Sequence, residues 1–160
     1  MAKTEYQFSD FLTDVSDGNK DFVIAVHEML TKDNYKFKIE SKASGFLVSY
    51  AHPKTKHSIL NFAFRKNGMY IRLYGANCNN YAELLNRLPK SMIAQIDKSG
   101  NCSRMLNPQA CNSRCAMGYD FYIGENHYQK CRIVCFFLLV DGESIPFLLE
   151  MVEREKQARA

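Results

Sequence analysis

Tyr35–Tyr74, YKFKIESKASGFLVSYAHPKTKHSILNFAFRKNGMYIRLY, decides the fold. Tyr35, Phe37 and Ile39 alternate with Lys36, Lys38 and Glu40. Side chains of a strand point to opposite faces in turn, so this alternation predicts a half-buried strand. Phe46–Ala51 repeats the period with Phe46, Val48 and Tyr50, and Ser58–Arg65 repeats it with Leu60, Phe62 and Phe64. Asn67-Gly68 predicts a hairpin, because both residue types tolerate positive φ. Met69–Tyr74 then returns as a fourth strand, with Met69, Ile71 and Leu73 on one side and Tyr70, Arg72 and Tyr74 on the other. Strands in succession joined by short turns predict an antiparallel meander.

Helical spacing lies on both sides of this block. Glu5–Val15 carries Tyr6, Phe8, Phe11 and Leu12, a short helix ending near Asp17-Gly18-Asn19. Phe22, Val23, Val26, Met29 and Leu30 recur with the 3.6-residue period up to Lys32, and Asn19 is placed to cap that helix. Asn80–Leu85 and Lys90–Ser99 predict two central helices, stopped by Pro89 and Gly100. Residues 101–118 read as a cysteine-bearing loop, ordered if something ties it down. Asp120–Ile123 and Tyr128–Val134 read as strands. Cys135–Val140 is apolar throughout, so periodicity alone leaves strand continuation and helix start both open. Ser144–Gln157 predicts a terminal helix with Leu148, Leu149 and Val152 on one face and a solvated tail, Glu153-Arg154-Glu155-Lys156. The expectation is one α+β domain over residues 1–160, an antiparallel sheet flanked by N-terminal, central and C-terminal helices, with a cysteine-rich segment at 101–135.

The chain has 160 residues, 46% of them hydrophobic, which is enough for a core and excludes a wholly disordered chain. The opening MAKTEYQFSDFLTD lacks the apolar run of a secretory signal, and Ile133–Val140 is too short to span a bilayer. A cytoplasmic protein without membrane contact is expected, with reduced cysteines. A net charge of +4, with its lysines and arginines dispersed, argues against a dedicated nucleic-acid binder.

Six cysteines occur: Cys78, Cys102, Cys111, Cys115, Cys131 and Cys135. Zinc takes four thiolate or imidazole donors in a tetrahedron, and Cys102, Cys111, Cys115 and Cys131 supply that number. Cys135 or His127 can replace a member of the set. Four thiolates leave no water position, so the zinc expected is structural, fixing residues 101–118 against Tyr128–Arg132. The bland alternative is reduced cysteines packed as small apolar groups.

Tyr70, Arg72 and Tyr74 place a charge between two aromatics on one strand face. If they face a cleft, Arg72 pairs with an acidic ligand while the tyrosines stack on it; otherwise they are amphipathic residues facing solvent. Tyr122 and Tyr128, with Tyr119, can line a groove between sheet and cysteine loop, or cover a small core. Lys36, Lys38 and Lys42, with Lys54, Lys56, Arg65 and Lys66, form either a phosphate-contacting face or a solvated one. His27, His52, His57 and His127 form no zinc-protease or triad pattern, and no Gly-rich phosphate loop or serine nucleophile elbow occurs. No catalytic residue is nominated.

Cys111–Cys135, with Gly118-Tyr119-Asp120-Phe121, Gly124 and Tyr128-Gln129-Lys130-Cys131-Arg132, resembles a group of small uncharacterised bacterial proteins. The order of elements in the earlier half is similar to that of the small α+β domains of the YjbR and TfoX N-terminal type. The resemblance implies a bacterial cytosolic protein and, from the TfoX-like side, a regulatory or protein-interaction role. The functional expectation is a noncatalytic binding or regulatory domain whose partner is a small molecule or another protein. The alternative is a small-molecule enzyme or carrier with a tyrosine- and arginine-lined pocket; weak nucleic-acid binding comes third.

Overall fold

Alternation and turn chemistry produce the meander. A computed structural model describes residues 5–160. Residues 1–4, where the reading of the opening stretch begins, lie outside the described residues. Helices α1 (Phe8–Asp14) and α2 (Asp17–Lys32) precede β1 (Lys36–Lys42), β2 (Gly45–Ala51), β3 (Ser58–Arg65) and β4 (Gly68–Leu73). A 3₁₀ turn at Cys78–Tyr81 leads into α3 (Ala82–Leu85), α4 (Lys90–Lys98) and α5 (Ser103–Leu106). Then come β5 (Tyr119–Ile123), β6 (Asn126–Lys130), β7 (Phe137–Leu139) and α6 (Ile145–Ala158). The fold is α+β, with a five-stranded antiparallel sheet in the order β1-β2-β3-β4-β7 and a separate β5-β6 ribbon.

Register follows the apolar pattern. Val48 pairs with Phe62, and Phe62 with Ile71, which in turn pairs with Leu138. One face of the sheet is therefore apolar across four strands and is covered by helices. Phe11 stacks on Phe62 at 5.8 Å between centroids, and Phe22 meets Phe62 edge-on at 6.1 Å. Burying each such ring contributes about 1.5–3 kcal/mol. The opposite face carries Lys36, Lys38, Asn61, Tyr70 and Arg72. In the β3–β4 hairpin, Arg65 pairs with Gly68, so Lys66-Asn67 is the loop, and of the expected pair only Gly68 takes a positive φ, +134°.

Several boundaries move for local reasons. Helix α2 starts at Asp17, and the Asn19 amide, expected as its cap, donates instead to Val140 O at 3.1 Å. The strand expected over Tyr128–Val134 ends at Lys130, because Val134 N and Cys135 N both donate back to Cys131 O and turn the chain. That turn delivers Phe137–Leu139 to the edge of β4, so the apolar run is a strand and not a helix start. Helix α4 packs along β7, and Gln95 Oε1 accepts the Leu139 N–H at 2.9 Å, occupying a donor that an edge strand otherwise leaves open. In the ribbon, Tyr119, Phe121, Ile123 and Tyr128 turn inward, and Phe121 meets Phe136 at 5.7 Å. Among the described residues no helix is long and apolar enough to cross a membrane.

Candidate functional site: a basic cavity beside the cysteine loop

Helix α6 fixes one wall of the site. Leu148, Met151, Val152 and Glu155 share its buried face. Glu155 is fully buried, not part of a solvated tail as its charged neighbours suggest. Its carboxylate accepts from Asn77 N and Nδ2, from Tyr81 Oη, and from Arg159 Nε, all at 2.8–2.9 Å. Four donors satisfy a charge whose burial alone is costly. Arg159 then spends its remaining donors on backbone, Nη1 to Ser58 O and Nη2 to Tyr74 O. One guanidinium thus joins the last helix to the ends of β3 and β4.

Against this wall lies a cavity of about 820 Å³. The sheet side supplies His52, His57, Ser58 and Tyr74, and the loop side supplies Cys111, Arg114, Cys115, Cys131 and Arg132. No lining residue is Asp or Glu. Arg132 sits over the rings of Tyr74 at 5.8 Å and Tyr119 at 6.0 Å. Among the described residues neither Arg114 nor Arg132 has a carboxylate within salt-bridge distance. His52 is spoken for. Its Nδ1 faces the N–H groups of Lys54 and Thr55 at 3.1 and 3.2 Å, and Nε2 faces Arg159 O at 3.0 Å. Two donors on Nδ1 assign the proton to Nε2, which then donates to the carbonyl. The residue clasps the 52–55 turn to the end of α6.

The nominated ligand-binding residues do not share one pocket. Tyr74 lines the cavity. Tyr70 stacks on Phe137 at 4.8 Å and borders a shallower groove beside α4. Arg72 donates from Nε to Ile133 O at 2.8 Å and from Nη1 to Asn61 Oδ1 at 3.2 Å, with its guanidinium 4.7 Å from the Phe137 ring. These contacts use it to bind the 131–136 turn to the sheet. Tyr122 is exposed on the outer ribbon face, stacked on His127, whose Nε2 meets Asp120 Oδ1. Tyr128 is buried against Phe121.

The six thiols lie in three environments. Cys78 and Cys135 are buried in the core, and burial pushes the first up to about 12 and the second well above the usual thiol range. Cys111, Cys115 and Cys131 line the cavity. Cys102 is also buried, yet its pKa lies below the ordinary value. Burial raises it, but backbone N–H groups of Gly118, Met105 and Arg104 outweigh that effect by favouring the thiolate. Among the described residues no three Cys, His, Asp or Glu side chains are gathered tightly enough to hold one metal ion.

Comparison with protein-family models, curated proteins and solved structures returned no match for this chain.

Arg114, Arg132, His52 and Arg159 were not singled out as site residues by sequence reasoning. A signal for α6 was present: Glu155 follows Met151 by four residues and Val152 by three, which places it on the buried stripe. The convergence of Arg114 with Arg132 had no such signal, because it depends on how the 107–117 segment folds back on the ribbon.

Proposed function

We propose that the protein is a noncatalytic binding domain that takes a small anionic molecule in the cavity between the sheet end and the cysteine loop. The observation that carries this reading is the lining: Arg114 and Arg132 face a cavity of about 820 Å³ to which no carboxylate contributes. Charges held in a concave site with low-dielectric walls focus their field on the space they enclose. Arg132 supplies a planar fork suited to carboxylate or phosphate oxygens, and Tyr74 supplies an apolar ring beside it. A binding role also fits the state of His52, the histidine tied to Arg159.

The test is calorimetric titration of the chain with citrate and with tripolyphosphate at low salt, alongside thermal unfolding. Saturable binding is expected, with a rise in Tm, because a ligand at about 100 times its Kd stabilises by about 2.7 kcal/mol. Arg132→Ala should weaken binding by about tenfold or more, the cost of one charge-assisted contact. Absence of heat and of any Tm shift with both anions, or unchanged affinity in Arg132→Ala and Arg114→Ala, would sink the reading. Salt-sensitive binding of single-stranded nucleic acid in place of either small anion would move the assignment to a polyanion.

A further inference from the structure

We propose that the open face of the five-stranded sheet binds single-stranded nucleic acid. The pleat sends alternate residues of each strand to this face, and it gathers cations that lie far apart in the sequence. Lys36, Lys38 and Lys42 come from β1, Arg65 from β3 and Arg72 from β4. Glu40 is the one carboxylate among the strand residues of this face, and it is already paired, with Lys38 at 3.3 Å and Lys42 at 3.9 Å. Among the described residues Lys36, Arg65 and Arg72 have no carboxylate within salt-bridge distance. Phe11 and Phe22 bring α1 and α2 onto the other face, while α4 borders this one at its rim, along β7. Lys36, Lys38 and Arg65 stay exposed.

One row crosses the whole sheet: Lys38, Ser49, Asn61, Arg72 and Phe137 are successive partners. It runs from charge, over a low floor of small polar residues, to a ring. Four inter-strand steps make the row about 19 Å wide. A sheet of this kind holds about two or three bases. At the far end Tyr70 and Phe137 lie parallel, 4.8 Å between centroids and 4° between planes. The guanidinium carbons of Arg72 and Arg65 stand 4.7 and 5.2 Å from the Phe137 centroid. Both rings border a groove of about 450 Å³, with Gln95, Lys98 and Ser99 on its α4 side.

This arrangement selects among polyanions. Every nucleobase has a π-face, and the unstacked bases of a single strand take aromatic rings and guanidinium planes as partners. A duplex keeps those base faces hidden in its own stack. An acidic peptide would use the charge and leave the planar groups without a planar partner. Phosphates along β1 and bases at the Tyr70–Phe137 end use both halves of the face. None of these residues lines the cavity that Arg114 and Arg132 share, so the surface is separate from the anion site.

The experiment is fluorescence anisotropy of the full chain with short labelled oligo(U) and oligo(dT), with polyglutamate as the control polyanion. Saturable binding is expected, with about three or four phosphate contacts giving a slope of log K against log salt of about −2 to −3. Tyr70→Leu should weaken binding by about fivefold or more with the slope unchanged. Joint Lys36→Ala and Lys38→Ala substitution, at exposed positions, should make the slope shallower by about 1. Photocrosslinks to the unmodified chain should map to residues 65–72 and 134–139, a readout that needs no variant to fold. Binding of either oligonucleotide supports the proposal, and tighter RNA binding adds a contact to the 2′-hydroxyl. No binding of either at low salt, equal affinity for polyglutamate, or crosslinks confined to residues 111–116 would overturn it. Arg132→Ala, which tests the anion cavity, should leave oligonucleotide affinity within about twofold. Loss of oligonucleotide binding in Arg132→Ala but not in the face variants would also overturn the proposal, so the two sites stand or fall on separate data.

Discussion

Arg72 shows how a charged side chain on a sheet becomes structural. Its two hydrogen bonds, to Ile133 O and Asn61 Oδ1, and its place over the Phe137 ring tie β4 to the turn that follows β6. Truncation removes a donor from the exposed Ile133 carbonyl and another from Asn61 Oδ1, which is partly withdrawn from water, and it uncovers the Phe137 ring. Arg72→Ala should therefore lower stability by about 1–3 kcal/mol, seen as a reduced urea midpoint, while citrate and tripolyphosphate affinities change less than twofold. An unchanged midpoint with a large loss of anion affinity would return Arg72 to the ligand site. Sequence placed Arg72 on one strand face between Tyr70 and Tyr74; Tyr70 shares that face, while β4 ends at Leu73 and Tyr74 lies past it, in the cavity wall. The partners come from residues 61 and 133, and alternation within one strand contains nothing about them.

Among the elements, the meander was legible and the cysteine segment was not. The reason is physical: β1 to β4 are joined by short turns, so each apolar stripe finds its partner next along the chain, and Ser58–Arg65 matches the expected bounds to the residue. The contacts that seat residues 100–118 on the ribbon run through Gly100, Asn101 and Gly118, which carry no apolar pattern. Lys130 belongs to the same group. It is buried, and its Nζ donates to Asp97 O and Ser99 O, closing the end of α4. A lysine in an alternating polar segment gives no sign that it will cap a helix thirty positions earlier. Gly118 is where this element is most exposed to a single change. Gly118→Ala forces a methyl into the Lys130 carbonyl, so this segment must lift off the ribbon. The expected cost is about 1–3 kcal/mol, with faster amide exchange at residues 102, 118 and 131 and unaltered exchange in β2 and β3. Uniformly faster exchange throughout would mean the segment is not a separate unit.

At the scale of the molecule, the core holds several protons more tightly than an unfolded chain would. Burial raises the pKa of Tyr50, Tyr81 and Tyr119, and it raises Cys78 to about 12 from an ordinary 9.0. Across that interval the unfolded chain has released these protons and the folded chain retains them, so the unfolded state binds fewer. Stability is fully present below about pH 9 and declines as pH rises toward the folded-state values. The urea midpoint should be level through neutral pH and fall steadily above about pH 9, the onset set by the unfolded-state pKa values. A midpoint that held constant up to about pH 11 would show that these groups titrate with equal ease in both states.

The strand order β1-β2-β3-β4-β7 also has a consequence for how the chain is made. Strand β4 is finished by residue 73, but the partner that closes its edge begins at Phe137, with both central helices and the ribbon emerging in between. During synthesis, Tyr70–Arg72 therefore waits as an unpaired template beside the apolar residues Met69, Ile71 and Leu73. A chain interrupted before β7 ends with that template open, and an open edge of this kind recruits whatever strand arrives next, including the same strand of another copy. Helix α4 and its Gln95, which later guard β7, cannot protect β4 in its place, because the contact they make is with Leu139. The last quarter of the chain thus acts for the first half as a self-supplied chaperone.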